Sequence, residues 1–375
     1  MIIKSIELAG YRNYDFLTLQ FDKGTNILFG DNAQGKTNIL EAIYLCATTK
    51  SHKGSKDKEI IKFDSEEAHI RAYIEKEEVE TRIDMHLRKS KSKGIAIDGQ
   101  KLKKAAQLLG LCNVVFFSPE DLSIIKNGPS ERRRFVDMEL CQLDGFYLYN
   151  LNHYNKIVNQ RNILLKDMYM NPGLRDTLSI WDSQLISFGS KIIERRQLFI
   201  DQLNEIIYDI HQKLSGGREE LRIIYEPDVS IENFEKNLIH SQERDVKTKM
   251  TNVGPHRDDF IFMVGDIDVR KFGSQGQQRT AALSLKLAEI ELVKRLTKDS
   301  PILLLDDVLS ELDSNRQNYL LNSIGDIQTI ITCTGLEEFV NNRFEINKVF
   351  KVSNGMVECV NEEIVTHKGN GMEES

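Results

Sequence analysis

The sequence predicts an α/β fold of the P-loop type, split by a helical insertion, on three observations. Gly30 to Thr37 reads GDNAQGKT, which fits the pattern G-x-x-x-x-G-K-[ST]. The run PILLLDD, ending at Asp307, is a hydrophobic strand that closes on paired carboxylates. More than two-thirds of the chain lies between these motifs, and the spacing from Ser130 to about Leu214 is helical. In a compact P-loop domain the two motifs sit on neighbouring strands, so the chain must leave the nucleotide fold and return to it.

Taken in order, Ile2 to Leu8 and Leu17 to Phe21 alternate apolar and polar residues as half-buried strands do. Asn26 to Phe29 enters the glycine loop as a strand, and Asn38 to Leu45 leaves it with helical apolar spacing. That context suits phosphate binding. Gly30 and Gly35 let the backbone curl so that N–H groups of the loop, through Asp31, Asn32, Ala33 and Gln34, point at phosphate oxygens. The following helix adds its positive N-terminal end. Lys36 is placed to reach the β- and γ-phosphates and Thr37 to ligate Mg²⁺, so ATP and Mg²⁺ are the predicted ligands. Ala68 to Leu87 alternates again, and Arg88 to Gly94 reads as a polar hairpin tip.

The helical region carries an apolar stripe through Leu178, Trp181, Leu185, Phe188, Ile192, Phe199, Leu203, Ile206 and Ile210. Asn171-Pro172-Gly173 divides it into two arms of about 40 residues, each at most about 60 Å long. They either project as a short arm or pack as a helical subdomain. Gly216-Gly217 closes the region and a strand over Leu221 to Tyr225 follows. The predicted organisation is an N-terminal part of the nucleotide fold over 1–125, a helical insertion over 126–245, the returning part over 246–362, and a disordered tail over 363–375.

The returning part holds a second motif. Phe272 to Ala282 reads FGSQGQQRTAA and runs into an amphipathic helix whose start carries Ser274, Gly276 and Gln277. A hydroxyl and unpaired N–H groups at a helix N-terminus favour an anion, although a plain capping turn has the same look. The strand PILLLDD follows within about one helix and turn, and Ser310 to Asp313 comes next. This order resembles the signature, Walker B and D-loop of ABC ATPases, in which the signature of one subunit caps the γ-phosphate held by another. The resemblance implies a dimer. Asp306 would hold Mg²⁺ through water, and Asp307 would orient the attacking water or only support Asp306. Aspartate is one methylene shorter than the glutamate many such ATPases carry, which predicts slow hydrolysis. With Lys36 they make the candidate catalytic set. The switch position falls in Thr332-Cys333-Thr334, and no Gln stands over Val114 to Leu122, where Ser118 or Glu120 could serve.

Five segments sharpen the resemblance: the N-terminal IIKSIELAGYRNYDFLTLQF, FSPEDLSIIKNGPSERRRFVD (Phe117 to Asp137), NVGPHRDDF (Asn252 to Phe260), SQGQQR and LLLDDVLSELD. Together they resemble the RecF family of bacterial DNA replication and repair proteins, ATPases with a head like that of SMC proteins. The resemblance implies an ATP-driven dimer that binds single-stranded, duplex and gapped DNA, partners RecR and RecO, and loading of RecA. Alternatives are the nucleotide-binding subunit of an ABC transporter and an SMC-like head of a nuclease. The first lacks a membrane-coupling sequence; the second would need a carboxylate metal cluster beyond residue 360.

Composition sets the remaining bounds. With 40% hydrophobic and 29% charged residues over 375, the chain suits one elaborated domain or two. No run approaches the roughly 18 apolar residues that span a bilayer, and the N-terminus has no signal-peptide core, so a cytoplasmic location is expected. Five cysteines without a C-x-x-C pair suit reduced thiols. The net charge of −7 opposes a polyanion globally, yet Arg88, Lys89, Lys91, Lys93, Lys101, Lys103 and Lys104 share one stretch with a single acid, Asp98. Those seven are the candidate DNA contacts, or else a solvated hairpin. Arg132 to Arg134, Arg12, Asn13 and His256 are open between ligand contact and local structure.

Overall fold

The computed structural model describes residues 1–168, 171–336 and 345–360. The expected tail over 363–375 lies outside them. Strands β1 (Ile2–Tyr11) and β2 (Tyr14–Gln20) form an antiparallel hairpin with alternating burial. Strand β3 (Thr25–Phe29) is almost wholly buried, as a strand with parallel neighbours on both sides must be. It feeds the glycine loop and helix α1 (Lys36–Thr48). After the short α2 (Asp57–Ile60), the alternating run beginning at Ala68 is two strands, β4 (Glu67–Lys76) and β5 (Val79–Arg88). Glu77 and Glu78 turn the chain between them at φ 50 and 65, the left-handed pair that a tight two-residue hairpin requires. Neither is Gly, Asn or Asp, so the sequence carries no turn signal there. β6 (Gly94–Ile97) and β7 (Gln100–Lys101) complete an antiparallel sheet of order β2-β1-β4-β5-β6-β7, and β8 (Val114–Phe117) leaves it.

The next segment is a unit of its own. It holds α3 (Leu122–Lys126), α4 (Pro129–Leu143), α5 (Gly145–Asp167), α6 (Leu178–Ser215), β9 (Leu221–Glu226), α7 (Phe234–Thr248), β10 (Asp259–Val264), β11 (Ile267–Asp268), α8 (Val269–Phe272) and most of α9 (Gln275–Thr297). The first helical arm is broken where the sequence suggested continuity. The Asp144 carboxylate accepts from the N–H groups of Phe146 and Tyr147 at 2.9 and 3.0 Å and restarts the helix there. Arg161 of α5 is fully buried; it donates to Asp182 of α6 and Asp245 of α7, each at 2.7 Å. The α5–α6 pair is therefore packed under α7 rather than projecting. Arg196 of α6 similarly joins Asp137 of α4 to Asp258, again at 2.7 Å.

The chain returns through β12 (Ile302–Asp306), α10 (Ser314–Ser323), β13 (Thr329–Cys333), β14 (Lys348–Ser353) and β15 (Met356–Val360). The second six-stranded sheet has the order β15-β14-β3-β13-β12-β8, parallel throughout except at β15. The P-loop strand and the carboxylate strand are thus not neighbours. β13 lies between and pairs with both. The compact units are Met1–Glu120 with the return from Val293, and Asp121–Leu292. A boundary at 245/246 falls inside α7, and the antiparallel β9–β10 ladder from Glu226↔Asp259 to Leu221↔Val264 ties the following residues to the inserted unit.

That unit contains a buried acid pair. Glu139 of α4 and Glu289 of α9 are both enclosed, with Lys286 Nζ 2.6 Å from Glu289. Burial, then the charge of Glu289, holds the Glu139 carboxyl well above the usual carboxylate range. A raised folded pKa means the native state keeps a proton that the unfolded chain loses. The associated stability is present below the unfolded value of 4.5 and drains as pH rises through the folded one. Glu139→Gln keeps the shape of the protonated acid. Thermal unfolding followed by circular dichroism from pH 5 to 9 should therefore fall less steeply in the variant than in the parent; superimposable profiles would refute the buried proton.

Candidate functional site

Local backbone chemistry shapes the loop after β3. Gly35 takes φ 111, a region closed to other residues, and a Cβ there would lie 2.5 Å from Asn13 Nδ2 and 2.6 Å from the Tyr14 hydroxyl. The Tyr14 hydroxyl donates to the Gly35 carbonyl at 3.0 Å and Asn13 Nδ2 to the Gln34 carbonyl at 3.0 Å, so the β1–β2 turn braces the loop from outside. Arg12 does not join them. Its guanidinium grips both oxygens of buried Glu41 at 2.7 Å and is a structural ion pair.

Lys36 begins α1 and curls its ammonium back inside the loop, donating to the carbonyls of Gly30 at 2.5 Å and Asp31 at 2.7 Å. Burial lowers its pKa, opposed first by the charge of Asp307 and then by Cys333 and Asp306. Thr37 Oγ1 donates to Asp306 Oδ1 at 2.8 Å, and Thr332 Oγ1 donates to the same oxygen at 2.7 Å. Thr332 also accepts the Asp307 N–H at 3.0 Å. Thr332, in the segment where the sequence suggested a switch, thus contacts both acids. Asp307 stands at φ 53, a left-handed conformation costing about 1–3 kcal/mol that its two N–H acceptors on Thr332 hold in place. Burial raises its carboxyl pKa, and Lys36 opposes the shift.

These groups line a cavity of about 420 Å³ bounded by Asn32 to Asn38, Ser118 to Glu120, Asp306, Asp307 and Thr332. Its size is that of a small-molecule site, and its charged lining suits a phosphate chain. The adjacent hydroxyl of Thr37 and carboxylate of Asp306 are hard oxygen donors of the kind Mg²⁺ prefers. Ser118 and Glu120, the two candidates for the missing glutamine's place, both line the cavity. His52 and Lys53 line it too. Sequence reasoning missed these two because the polar segment after α1 has no motif spacing. His52 is fixed by stacking on Phe116 with ring centroids 4.0 Å apart.

In the inserted unit, Ser274 stands exposed at the start of α9. Its Oγ accepts the Gln277 N–H at 3.2 Å while Gln277 Oε1 accepts the Ser274 N–H at 2.9 Å, a reciprocal capping box. Gly276 is exposed beside them, and Gln277 Nε2 also donates to Glu219 at 2.9 Å. The arginine triplet is mainly structural. Arg132 chelates Asp259, Arg133 donates to the Asp258 carbonyl at 2.6 Å, and Arg134 lies 4.0 Å from Glu131. His256 is held by Tyr154 at 2.7 Å and the Thr251 carbonyl at 3.0 Å.

The basic stretch is only partly available. Lys93 folds back onto Asp57 at 2.8 Å and the Thr49 carbonyl, so it leaves the exposed set, and Lys89 leans on Glu66 at 3.4 Å. Arg88 is half-buried at the end of β5, whereas Lys91, Lys101, Lys103 and Lys104 are exposed.

Residues 2–358 match the RecF/RecN/SMC N terminal domain family. The chain is 66% identical over 358 residues to the DNA replication and repair protein RecF of Lachnoclostridium phytofermentans, covering 96% of this chain and 99% of that one. The chain belongs to the RecF family. The protein of the same description from Lachnospira eligens is 62% identical, with 95% and 99% covered. Among solved structures, the recombination mediator protein RecF with ATP, of the RecFOR pathway, superposes with TM-score 0.90 at 37% identity, covering 96% of this chain and 97% of that one. An Smc head domain from Pyrococcus furiosus shares the fold at TM-score 0.55 and 16% identity, over 96% and 95% of the two chains. Membership displaces the transporter and nuclease alternatives. No helix among the described residues is long and apolar enough to cross a membrane.

Lys36 offers the buried cation of the RecF-family P-loop, so Lys36→Ala should weaken binding of a fluorescent ATP analogue by about ten- to a hundredfold, the worth of one charged hydrogen bond. Far-ultraviolet circular dichroism should be unchanged. Equal affinity in parent and variant would remove Lys36 from the site.

Proposed function

We propose that this protein is an ATP-dependent DNA-binding dimer of recombinational repair and replication that hydrolyses ATP slowly. It engages single-stranded, duplex and gapped DNA and, with RecR and RecO, promotes loading of RecA. Support comes from the roles of the relatives in DNA replication and repair and in recombination mediation. The observation that carries the reading is the exposed N-terminus of α9, whose Ser274 and Gly276 would offer an anion-binding end to a second copy's nucleotide.

Within the phosphate cavity, loop N–H groups and Lys36 hold the β- and γ-phosphates. Thr37 and Asp306 are the residues that would hold Mg²⁺, which when bound neutralises charge on the transferred phosphoryl group. Asp307 orients the attacking water, and its shorter reach and fixed left-handed backbone limit alignment, so turnover is slow. Dimer closure around ATP tightens DNA binding; hydrolysis releases it. The exposed Lys91, Lys101, Lys103 and Lys104 bring two copies of one basic patch to the same duplex.

Sedimentation with ATP, with and without gapped duplex, tests the whole reading. Ser274→Arg should block the ATP-driven dimer while monomer nucleotide affinity stays within about twofold, because the interaction is made with the partner. Weakened monomer binding would place Ser274 in its own site. Asp307→Asn should bind ATP and accumulate dimers with turnover reduced by a hundredfold or more, on the order seen when water positioning is lost; unimpaired turnover would reduce Asp307 to a support for Asp306.

DNA contact is tested separately. Replacing Lys91, Lys101, Lys103 and Lys104 with Ala should lower duplex affinity and flatten its dependence on salt, since each phosphate contact contributes about −0.9 to the log–log slope. Identical slopes would take the patch out of the DNA path.

A further inference from the structure

We propose that Glu67, His69 and His86 form a binding site for a divalent transition-metal ion of the Zn²⁺ class on the outer face of the N-terminal sheet. Nothing in the nucleotide chemistry uses these residues. β4 and β5 are antiparallel neighbours, and the register sets His69 directly opposite His86. Glu67 lies two residues before His69 and so projects from the same face.

The side chains realise what the register allows. The Glu67 carboxylate spans both imidazoles, with one oxygen 2.8 Å from His86 Nε2 and the other 3.7 Å from His69 Nε2. The two rings stack at 3.9 Å between centroids, 21° from parallel, so both Nε2 atoms turn to the same side as the carboxylate. All three donor atoms lie within 4.8 Å of one another. A tetrahedral ion with bonds of about 2.0–2.1 Å needs donors roughly 3.3–3.4 Å apart. The stacked rings aim their Nε2 lone pairs nearly parallel, so ligation also turns the rings out of the stack, a side-chain rotation that these solvent-facing positions permit.

Donor chemistry selects the ion. Two imidazole nitrogens and one carboxylate suit Zn²⁺ and its neighbours in the transition series, whereas Mg²⁺ and Ca²⁺ favour oxygen alone. Glu67 and His69 are more than half exposed, which leaves the remaining coordination position to water. Arg71, next along this face, is already taken by Asp84 at 2.7 Å and Glu7 at 3.1 Å. A bound ion would cross-link β4 to β5 where β5 runs out into the hairpin of Lys89 to Lys93, stiffening the base of the basic patch.

The test is a competition titration of the full chain, stripped by chelation, with Zn²⁺ against a chromophoric chelator in saturating Mg²⁺ so that the nucleotide site does not compete. One Zn²⁺ per chain is expected. His69→Ala and His86→Ala should each weaken binding by about tenfold or more. Glu67→Gln removes the carboxylate ligand while keeping both imidazoles, and should also weaken binding; unchanged affinity in it would take Glu67 out of the ligand set. All three positions face solvent, and matched melting curves without metal would confirm that the variants fold. Cys359 is the exposed thiol among the described residues, and Cys359→Ser should leave the titration unchanged. Hydrogen exchange at the ends of β4 and β5 should slow with Zn²⁺ in the parent alone. No uptake by the parent below millimolar Zn²⁺, undiminished uptake by a His69→Ala/His86→Ala double variant, or a sulfur ligand in the X-ray absorption spectrum would overturn the assignment.

Discussion

One oxygen of Asp306 accepts hydroxyl hydrogen bonds from Thr37 on α1 and from Thr332 on β13. That convergence fixes the end of β12, the first turn of α1 and the end of β13 relative to one another. A charged acceptor with two hydroxyl donors is worth more than two neutral bonds, and both donors come from β-branched side chains with few rotamers to lose. Thr332 then spends its remaining acceptor capacity on the Asp307 N–H. The strained φ of Asp307 is held by this bond and by the Thr332 carbonyl, so the geometry of the second acid is inherited from the first.

Ion pairs in the inserted unit work differently. Arg161 and Arg196 are buried, and the Coulomb attraction to their aspartates roughly offsets the cost of taking the charges out of water. Their net contribution to stability is therefore small compared with the cost of removing one partner. What they supply is specificity of packing: each guanidinium has donors in fixed directions and accepts only one arrangement of the surrounding helices. Arg161 selects α6 and α7 for α5, and Arg196 selects α4 and the segment before β10 for α6.

Legibility from sequence followed the range of the interactions. The glycine loop, its strand and helix, the closing carboxylates and the capping turn at Ser274 were legible because each is a local pattern of backbone chemistry. The break at Asp144 was missed although the residue is a common N-cap, since the surrounding helical spacing runs straight through it. The Glu77-Glu78 turn carried no sequence signal because tertiary pairing of β4 with β5 overrides the cost of two left-handed glutamates. Which residue of Thr332-Cys333-Thr334 meets Asp306, and the presence of His52 and Lys53 in the cavity, depend on strand order and on a loop's path. Neither quantity is encoded in spacing. The half-engaged state of the basic stretch was also hidden, because Asp57 is distant in sequence from Lys93 but adjacent in space.

Strand order also explains why two short motifs stand so far apart in the chain. β8 and β12 are parallel neighbours, and parallel neighbours cannot be joined by a tight turn; they require a crossover. The whole unit from Asp121 to Leu292 occupies that crossover, and α9 is its last element before β12. Enlarging a crossover leaves the ladder of the sheet intact, because β8 and β12 still pair from Val114↔Ile302 to Phe117↔Leu305 whatever lies between them. The nucleotide fold can therefore carry an insertion nearly half its chain length without moving Asp306.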